Sequence, residues 1–174
     1  MDPGTAATGY GVVAQARDGA LSLRECGVIR PRRGSTLAQR LGCIFRGLEE
    51  VLDRHHPELM AVEGIFHGKN ARTAVVLAHA RGSILLAAAL RDVAVAEYPP
   101  AEVKQSVVGT GRAQKAQVAF MVQRLLRLRE PPQPADAADG IAVALCHCFR
   151  TRGAGGVASE RFSLRELARS RGVV

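Results

Sequence analysis

MDPGTAATGYGVV, residues 1–13, opens the chain, with a single Met ahead of an Asp-Pro-Gly turn and a run of β-formers and glycines close behind it. Asp2 stands in a nominal first strand, just before that turn. Working outward, residues 8–16 read as a strand, Asp18-Gly19 as a hairpin turn, and residues 21–29 as the returning strand. Residues 36–55 place Leu37, Leu41, Ile44, Phe45, Leu48, Val51 and Leu52 at helical spacing, with Ser35 or Thr36 as N-cap, and Pro57 ends the run. Residues 59–62 (LMAV) are short and wholly apolar, which predicts a buried central strand with Glu63 at its C-terminal end.

Residues 64–69 read as a loop, and Asn70 can cap a helix running to about Leu90. That helix is apolar nearly all round, although one sheet face needs only one stripe. A second apolar face predicts a second partner, and another copy of the chain is the simplest. Residues 93–98 read as the next strand, ended by Pro99-Pro100. A short helix over 104–107, the Gly109–Arg112 loop and helices over 114–126 and 136–149 follow. The proline-rich REPPQP, residues 129–134, separates the last two. Hairpin first and parallel crossovers after, the order predicts an α/β domain over 1–150. Residues 151–174 form a basic tail, disordered or carrying one short helix from Ser163.

The 174 residues carry 47% apolar and 23% charged side chains, ordinary for one globular domain. The net charge of +8 favours a polyanionic partner, nucleic acid first. Six Arg against two Glu from Arg150 onward put half of that charge in the tail. The most apolar long run, residues 74–90, is broken by His79 and Arg81, which excludes a membrane span. With no signal peptide evident, Cys26, Cys43, Cys146 and Cys148 are expected as reduced thiols in the cytoplasm. Cys146-His147-Cys148 has no second cysteine pair with which to complete a zinc site.

Four acids stand where acids are disfavoured: Asp2, Glu63 at the end of an apolar strand, and Asp136 and Asp139 opening an apolar helix with i,i+3 spacing on one face. Crowded carboxylates repel, and desolvation makes that worse. A hard divalent cation reverses the sign, because Mg²⁺ and Mn²⁺ prefer oxygen ligands. Two such ions about 3.5–4 Å apart stabilise both attacking and leaving oxygens in phosphodiester hydrolysis. Singly, each acid has a plainer reading: turn residue, helix N-cap, dipole partner or ion pair.

DPGTAATGYGVV, AVEGIFHGKNARTAVVLAHARG, AEYPPAEVKQSVVGTGRAQKAQV and PADAADGIAVALCHC, in that order over residues 2 to 148, resemble the bacterial Holliday-junction resolvase family RuvC. The resemblance implies an RNase H-like fold with a mixed five-stranded sheet flanked by helices. It implies a homodimer that cuts two like-polarity strands of a four-way DNA junction using Mg²⁺ or Mn²⁺, two ions per site, with a branch-migration helicase as partner. Asp2, Glu63, Asp136 and Asp139 match the family's catalytic and metal-binding acids. Phe66 matches an aromatic that contacts junction bases, and Lys104 and Lys115 match basic residues near the scissile DNA. Lys69, Arg72 and Arg112 are expected at phosphates, where they set position and salt dependence. The helix from Asn70 corresponds to the family's dimer helix.

One departure stands out: the family carries apolar residues before the first Asp, and here only Met1 does so. The first strand is therefore expected to be truncated, with a start misassigned upstream as the preferred explanation. An intact native mass beginning at Met1 would refute that explanation. Two other functions are weighed: a junction-binding protein whose cutting was lost with the first strand, and an ATP-binding member of the actin-like superfold. Cleavage of a synthetic junction in Mn²⁺ excludes the first. The second would show nucleotide-dependent stabilisation, and its weakness is that only one phosphate-type loop occurs.

Overall fold

The computed structural model describes residues 1–64 and 71–153, the side chains of 71, 72, 152 and 153 excepted. Strand β1 (Thr8–Gln15) turns at Ala16–Ala20 into β2 (Leu21–Ile29), and the two pair antiparallel from Thr8↔Ile29 to Gln15↔Leu21. At the turn Gly19 takes φ +84°, a left-handed conformation glycine adopts without a Cβ penalty, and Asp18 accepts from the Ala20 N–H. Helix α1 (Leu37–His55) starts on a capping box in which Thr36 and Gln39 each accept from the other's backbone N–H. Strand β3 (Leu59–Glu63), helix α2 (Ala71–Ala89) and strand β4 (Ala94–Tyr98) form a crossover that pairs β3 with β4 in parallel, Leu59↔Ala94 through Glu63↔Tyr98.

Helices α3 (Pro100–Val108), α4 (Lys115–Leu125) and α5 (Ala135–Gly153) complete the described chain. The elements expected over residues 8–149 are present, most within a residue or two at each end, and the short helix expected from Ser163 lies outside the described residues. The short helix over 104–107 begins earlier, at Pro100, because proline is pre-organised for the first helical turn.

Residues 1 and 2 join the two strand pairs. Asp2 exchanges both backbone hydrogen bonds with Gly9 of β1, at 2.9 and 3.1 Å. Met1 accepts from the Glu63 N–H at 2.9 Å, and its amine donates to the Ala61 carbonyl at 2.8 Å. The lateral order is therefore β2, β1, residues 1–2, β3, β4. Among the described residues there are five strand positions, and residues 1–2 occupy the central one. The Asp-Pro-Gly turn makes this possible. Thr8, fully buried, donates to the Gly4 carbonyl at 2.8 Å and closes the loop that reverses the chain from Asp2 into β1.

Period-2 alternation divides β3 between two cores. Met60 and Val62 face α1 and α2, where they pack with Ile44, Leu48, Ile84 and Met1. Ala61 faces the other way, onto Val103, Val122, Ile141 and Leu145 of α3, α4 and α5. Sheet positions thus lie between two helical layers. All four cysteines are free thiols. Among the described residues no helix is long and apolar enough to cross a membrane.

Candidate active site

Helix α5 lies unusually close to β1 because both elements present glycine at the crossing. A Cβ on Gly9 would fall 1.9 Å from the Asp136 carbonyl oxygen, and one on Gly140 would fall 2.6 Å from the Tyr10 backbone. This approach carries the first turn of α5, with Asp136 and Asp139, to the end of the sheet where Asp2 and Glu63 sit. Gly9 is also the residue that pairs with Asp2, so one short stretch of β1 registers both ends of the acidic group.

Asp2 and Glu63 stand close enough to perturb each other's ionisation. Both are held above the ordinary carboxylate range. Desolvation by burial is the first cause for each. Glu63 is raised further by the charge of Asp2, and Asp139 is close enough to raise both. The pair titrates as a unit. The Met1 amine lies in the same buried corner, and burial lowers it to about 6 against the pull of Asp2 and Glu63.

Asp139 is bound by the Lys115 ammonium at 2.7 Å, and the same ammonium stands 3.9 Å from Asp136. Asp136 is the outermost acid and also faces Arg30 at 3.5 Å. Three of the four predicted acids therefore interact directly, and Asp136 joins them through Lys115. Among the described residues, no group of three or more His, Cys, Asp or Glu is arranged to hold a metal ion. The donor set nevertheless fits a hard cation. It consists of carboxylates alone, with Asp2 and Glu63 raised by burial on one side and Asp139 met by an ammonium on the other.

Of the predicted basic residues, Lys115 reaches the acids. Lys104 is half-buried on α3 and Arg112 is exposed ahead of α4; among the described residues no ion pair ties either to the acids. Phe66, Lys69 and the Arg72 side chain lie outside the described residues. Two participants escape a reading by residue type: Arg30 and the Gly9–Gly140 crossing. The signal for the last was present, since a glycine follows directly after DAAD and another sits in the first strand. At the other end of α5, His147 meets the Tyr98 hydroxyl at 2.8 Å, and the Cys146 thiol lies 3.3 Å from Ser106, so both have structural partners.

A mixed sheet between two helical layers, with carboxylates gathered where a central strand meets the start of the last helix, defines a protein of the RNase H-like class. The family model for "Crossover junction endodeoxyribonuclease RuvC" matches residues 1–147, and the chain belongs to that family. It is 50% identical over 147 residues to the crossover junction endodeoxyribonuclease RuvC of Pelotomaculum thermopropionicum, covering 84% of this chain and 89% of that one. It is 51% identical to that of Moorella thermoacetica over the same length, covering 84% and 87%. Thermus thermophilus RuvC in complex with Holliday junction substrate superposes with a TM-score of 0.80 at 37% identity, covering 87% of this chain and 92% of that one. Another Thermus thermophilus RuvC structure gives 0.78 at 39% identity, covering 87% and 93%. Membership of this family displaces the ATP-binding alternative.

Proposed function

We propose that the chain is an endonuclease that resolves Holliday junctions, with Asp2, Glu63, Asp136 and Asp139 as its catalytic acids and a divalent cation, Mg²⁺ or Mn²⁺, as its cofactor. The supporting observation is electrostatic. Asp2 and Glu63, brought from opposite ends of the first 63 residues, are both pushed above the ordinary carboxylate range by burial, while Asp139 repels both and is balanced by Lys115. A fold that gathers carboxylates at this cost to its own stability has a use for them.

The four acids would hold the cation, and two ions per site is the number the family resemblance implies. When bound, such ions lower the pKa of water and offset charge on the phosphodiester oxygens. The protein's own contribution is positional. The Asp2–Gly9 pairing and the α5 crossing fix the acids on rigid elements. Asp2 and Glu63 would hold the cation as ionised carboxylates, and Lys115, beside Asp139, would present an ammonium to phosphate at the edge of the site. Lys104, Arg112, Lys69 and Arg72 would hold the DNA backbone through charge, and Phe66 would contact bases.

The other face of α2 supports a homodimer. Ala80, Ile84, Ala87 and Ala88 are buried against α1 and the sheet, whereas Val75, Leu86 and Leu90 are more than half exposed. Two copies related by a two-fold axis would present two sites to two strands of a symmetric junction. A branch-migration helicase is the further partner that the family resemblance implies. The test is cleavage of a synthetic four-way junction in Mg²⁺ or Mn²⁺. Paired symmetric nicks are expected, and their loss in Asp2→Asn with junction binding retained would assign the acid to catalysis. Unchanged nicking by that variant would remove it from the site.

A further inference from the structure

Asp136 is approached by two cations from different parts of the chain. Lys115, opening α4, stands 3.9 Å from its Oδ1, and Arg30, directly after β2, stands 3.5 Å from its Oδ2. Arg30 owes this place to the hairpin register. Ile29 pairs with Thr8, so β2 ends beside Gly9, the residue that pairs with Asp2. The chain then turns through residues 31–35 into α1, with Pro31 buried and Arg32 and Arg33 exposed. This turn is pinned by its own backbone. The Ser35 N–H donates to the Arg32 carbonyl at 3.2 Å, Gly34 takes φ +84°, and Arg40 Nε donates to the Ser35 carbonyl at 3.0 Å. Among the described residues neither Arg32 nor Arg33 makes an ion pair. Residues 26–48 contain five Arg and no Asp or Glu, so the excess of positive charge here is not balanced nearby in sequence.

We propose that the turn from Arg30 to Gly34 is a second phosphate-binding element, in which Arg32 and Arg33 hold backbone phosphates of the DNA on the β2 side of the acids. The proposal rests on the junction-cleaving reading above and adds a contact to it. The basic residues placed on DNA there, Lys69, Arg72, Lys104, Arg112 and Lys115, all come from the chain after β3. Arg30 follows β2, at the opposite edge of the lateral order from β4. Two strand spacings, about 9–10 Å, separate β2 from the position of residues 1–2. Arg30 and Lys115 face different oxygens of Asp136, so a polynucleotide strand crossing the acids passes from one cation to the other. Arginine suits the role because its guanidinium is planar, always charged and able to bind phosphate through two parallel N–H bonds. A pinned turn also lowers the ordering cost of binding. Polynucleotide is favoured over an acidic protein surface because the turn is continuous with the acids: Arg30 touches Asp136, and Arg32 is two residues further on. Arg30 is then a positioning residue, tying the turn to the start of α5.

The test measures binding of the full chain to a synthetic four-way junction in EDTA, by fluorescence anisotropy over about 50–250 mM KCl. The double variant Arg32→Gln/Arg33→Gln is expected to reduce the slope of log affinity against log salt by about 2, one for each lost phosphate contact, and to weaken binding at least about tenfold at low salt. Both side chains are exposed, so its Tm should stay within about 2 °C of the parent. Arg32→Lys/Arg33→Lys keeps the charge and should recover most of the slope; no recovery would overturn phosphate charge as the target. Arg17→Gln/Arg24→Gln removes the same charge toward the far end of the β1–β2 hairpin and should leave the slope within about 0.5 of the parent. An equal loss in the two glutamine variants, or an unchanged slope in the Arg32/Arg33 one, would overturn the proposal. Hydroxyl-radical footprinting adds the position: the Arg32/Arg33 glutamine variant should lose protection on one side of the cleavage point and keep it on the other, and loss on both sides would overturn the placement. A parent that fails to bind the junction would overturn the junction reading itself, an outcome distinct from a parent that binds and variants that match it.

Discussion

The Lys115 ammonium lies 2.7 Å from Asp139 and 3.9 Å from Asp136, bridging the two acids at the start of α5. Asp139 holds the lysine above its ordinary pKa, so the charge is fixed at any physiological pH. The lysine side chain is 70% exposed, and an exposed ion pair contributes little to stability, about 0–1 kcal/mol. Lys115→Gln should therefore melt within about 2 °C of the parent. If Lys115 serves phosphate as proposed, cleavage by Lys115→Gln should fall by about tenfold or more while the protein stays folded. Thermal melting and single-turnover cleavage together check this, and unaltered cleavage would confine Lys115 to charge balance.

Asp139→Asn removes one negative charge without changing shape. Cleavage in Mg²⁺ should be abolished, and junction binding measured in EDTA should be kept or strengthened, because the site repels phosphate less. A gel-shift titration beside the cleavage assay separates the two effects. Intact cleavage would refute a catalytic role for this acid.

The pH dependence follows from the sign of the carboxyl shifts. Glu63 is raised from 4.5 to about 8, by desolvation first and by the charge of Asp2 second. A carboxyl with a raised folded value binds its proton more tightly folded than unfolded, so it costs stability increasingly as pH climbs through that window. Without metal, Glu63→Gln should be more stable than the parent at pH 8, by about 1–3 kcal/mol for relief of a buried charge, and close to it at pH 4. The Met1 amine shifts in the opposite sense and is pulled upward by Glu63, so the comparison is read at pH 8, where an amine lowered to about 6 is neutral in both folded proteins. Divalent cation should raise the parent's Tm more at pH 8 than at pH 6 and barely move Glu63→Gln. Differential scanning calorimetry with and without EDTA reads all three; a parent more stable than the variant at pH 8 in EDTA would contradict the assignment.

The fold was largely legible because its signals are local. Alternation over 8–15, the capping box at Thr36, the apolar LMAV run and the proline boundaries each act within a few residues. The acids were legible as an oddity of placement, and the family motifs supplied the reason. What no local signal carries is approach. That α5 crosses β1 through Gly9 and Gly140, and that the Met1 amine ends up under Ala61, depend on residues 60 to 130 positions apart. The bridging role of Lys115 was missed for the same reason: a helix-start lysine is ordinary until the fold sets it against Asp139.

The crossing of α5 over β1 can be tested at its tightest point. A Cβ at Gly140 would lie 2.6 Å from the Tyr10 backbone, which cannot yield as a flexible side chain would. Gly140→Ala should destabilise by about 1–3 kcal/mol, the range for overpacking, even though alanine is the better helix former. It should also displace Asp136 and Asp139 and lower cleavage in the fraction that remains folded. Chemical denaturation with single-turnover cleavage at a temperature well below the melt would show both, and a stabilised, fully active variant would disprove the close approach.

Helix α2 offers the remaining test, directed at assembly. Ile84 and Ala87 are wholly inaccessible on its buried face, while Leu86 on the same helix and Leu90 just past its end lie 51% and 54% exposed. A second copy covering these leucines would bury apolar area that each monomer leaves in water. Leu86→Glu should leave the monomer's melting nearly unchanged, since the side chain is already solvated there, and should weaken self-association by about two orders of magnitude, equivalent to about 2.7 kcal/mol. Sedimentation velocity across a concentration series reads the association directly. With the dimer lost, paired nicking of a single junction should give way to independent single nicks. A parent that sediments as a monomer at all concentrations would remove α2 as the dimer helix.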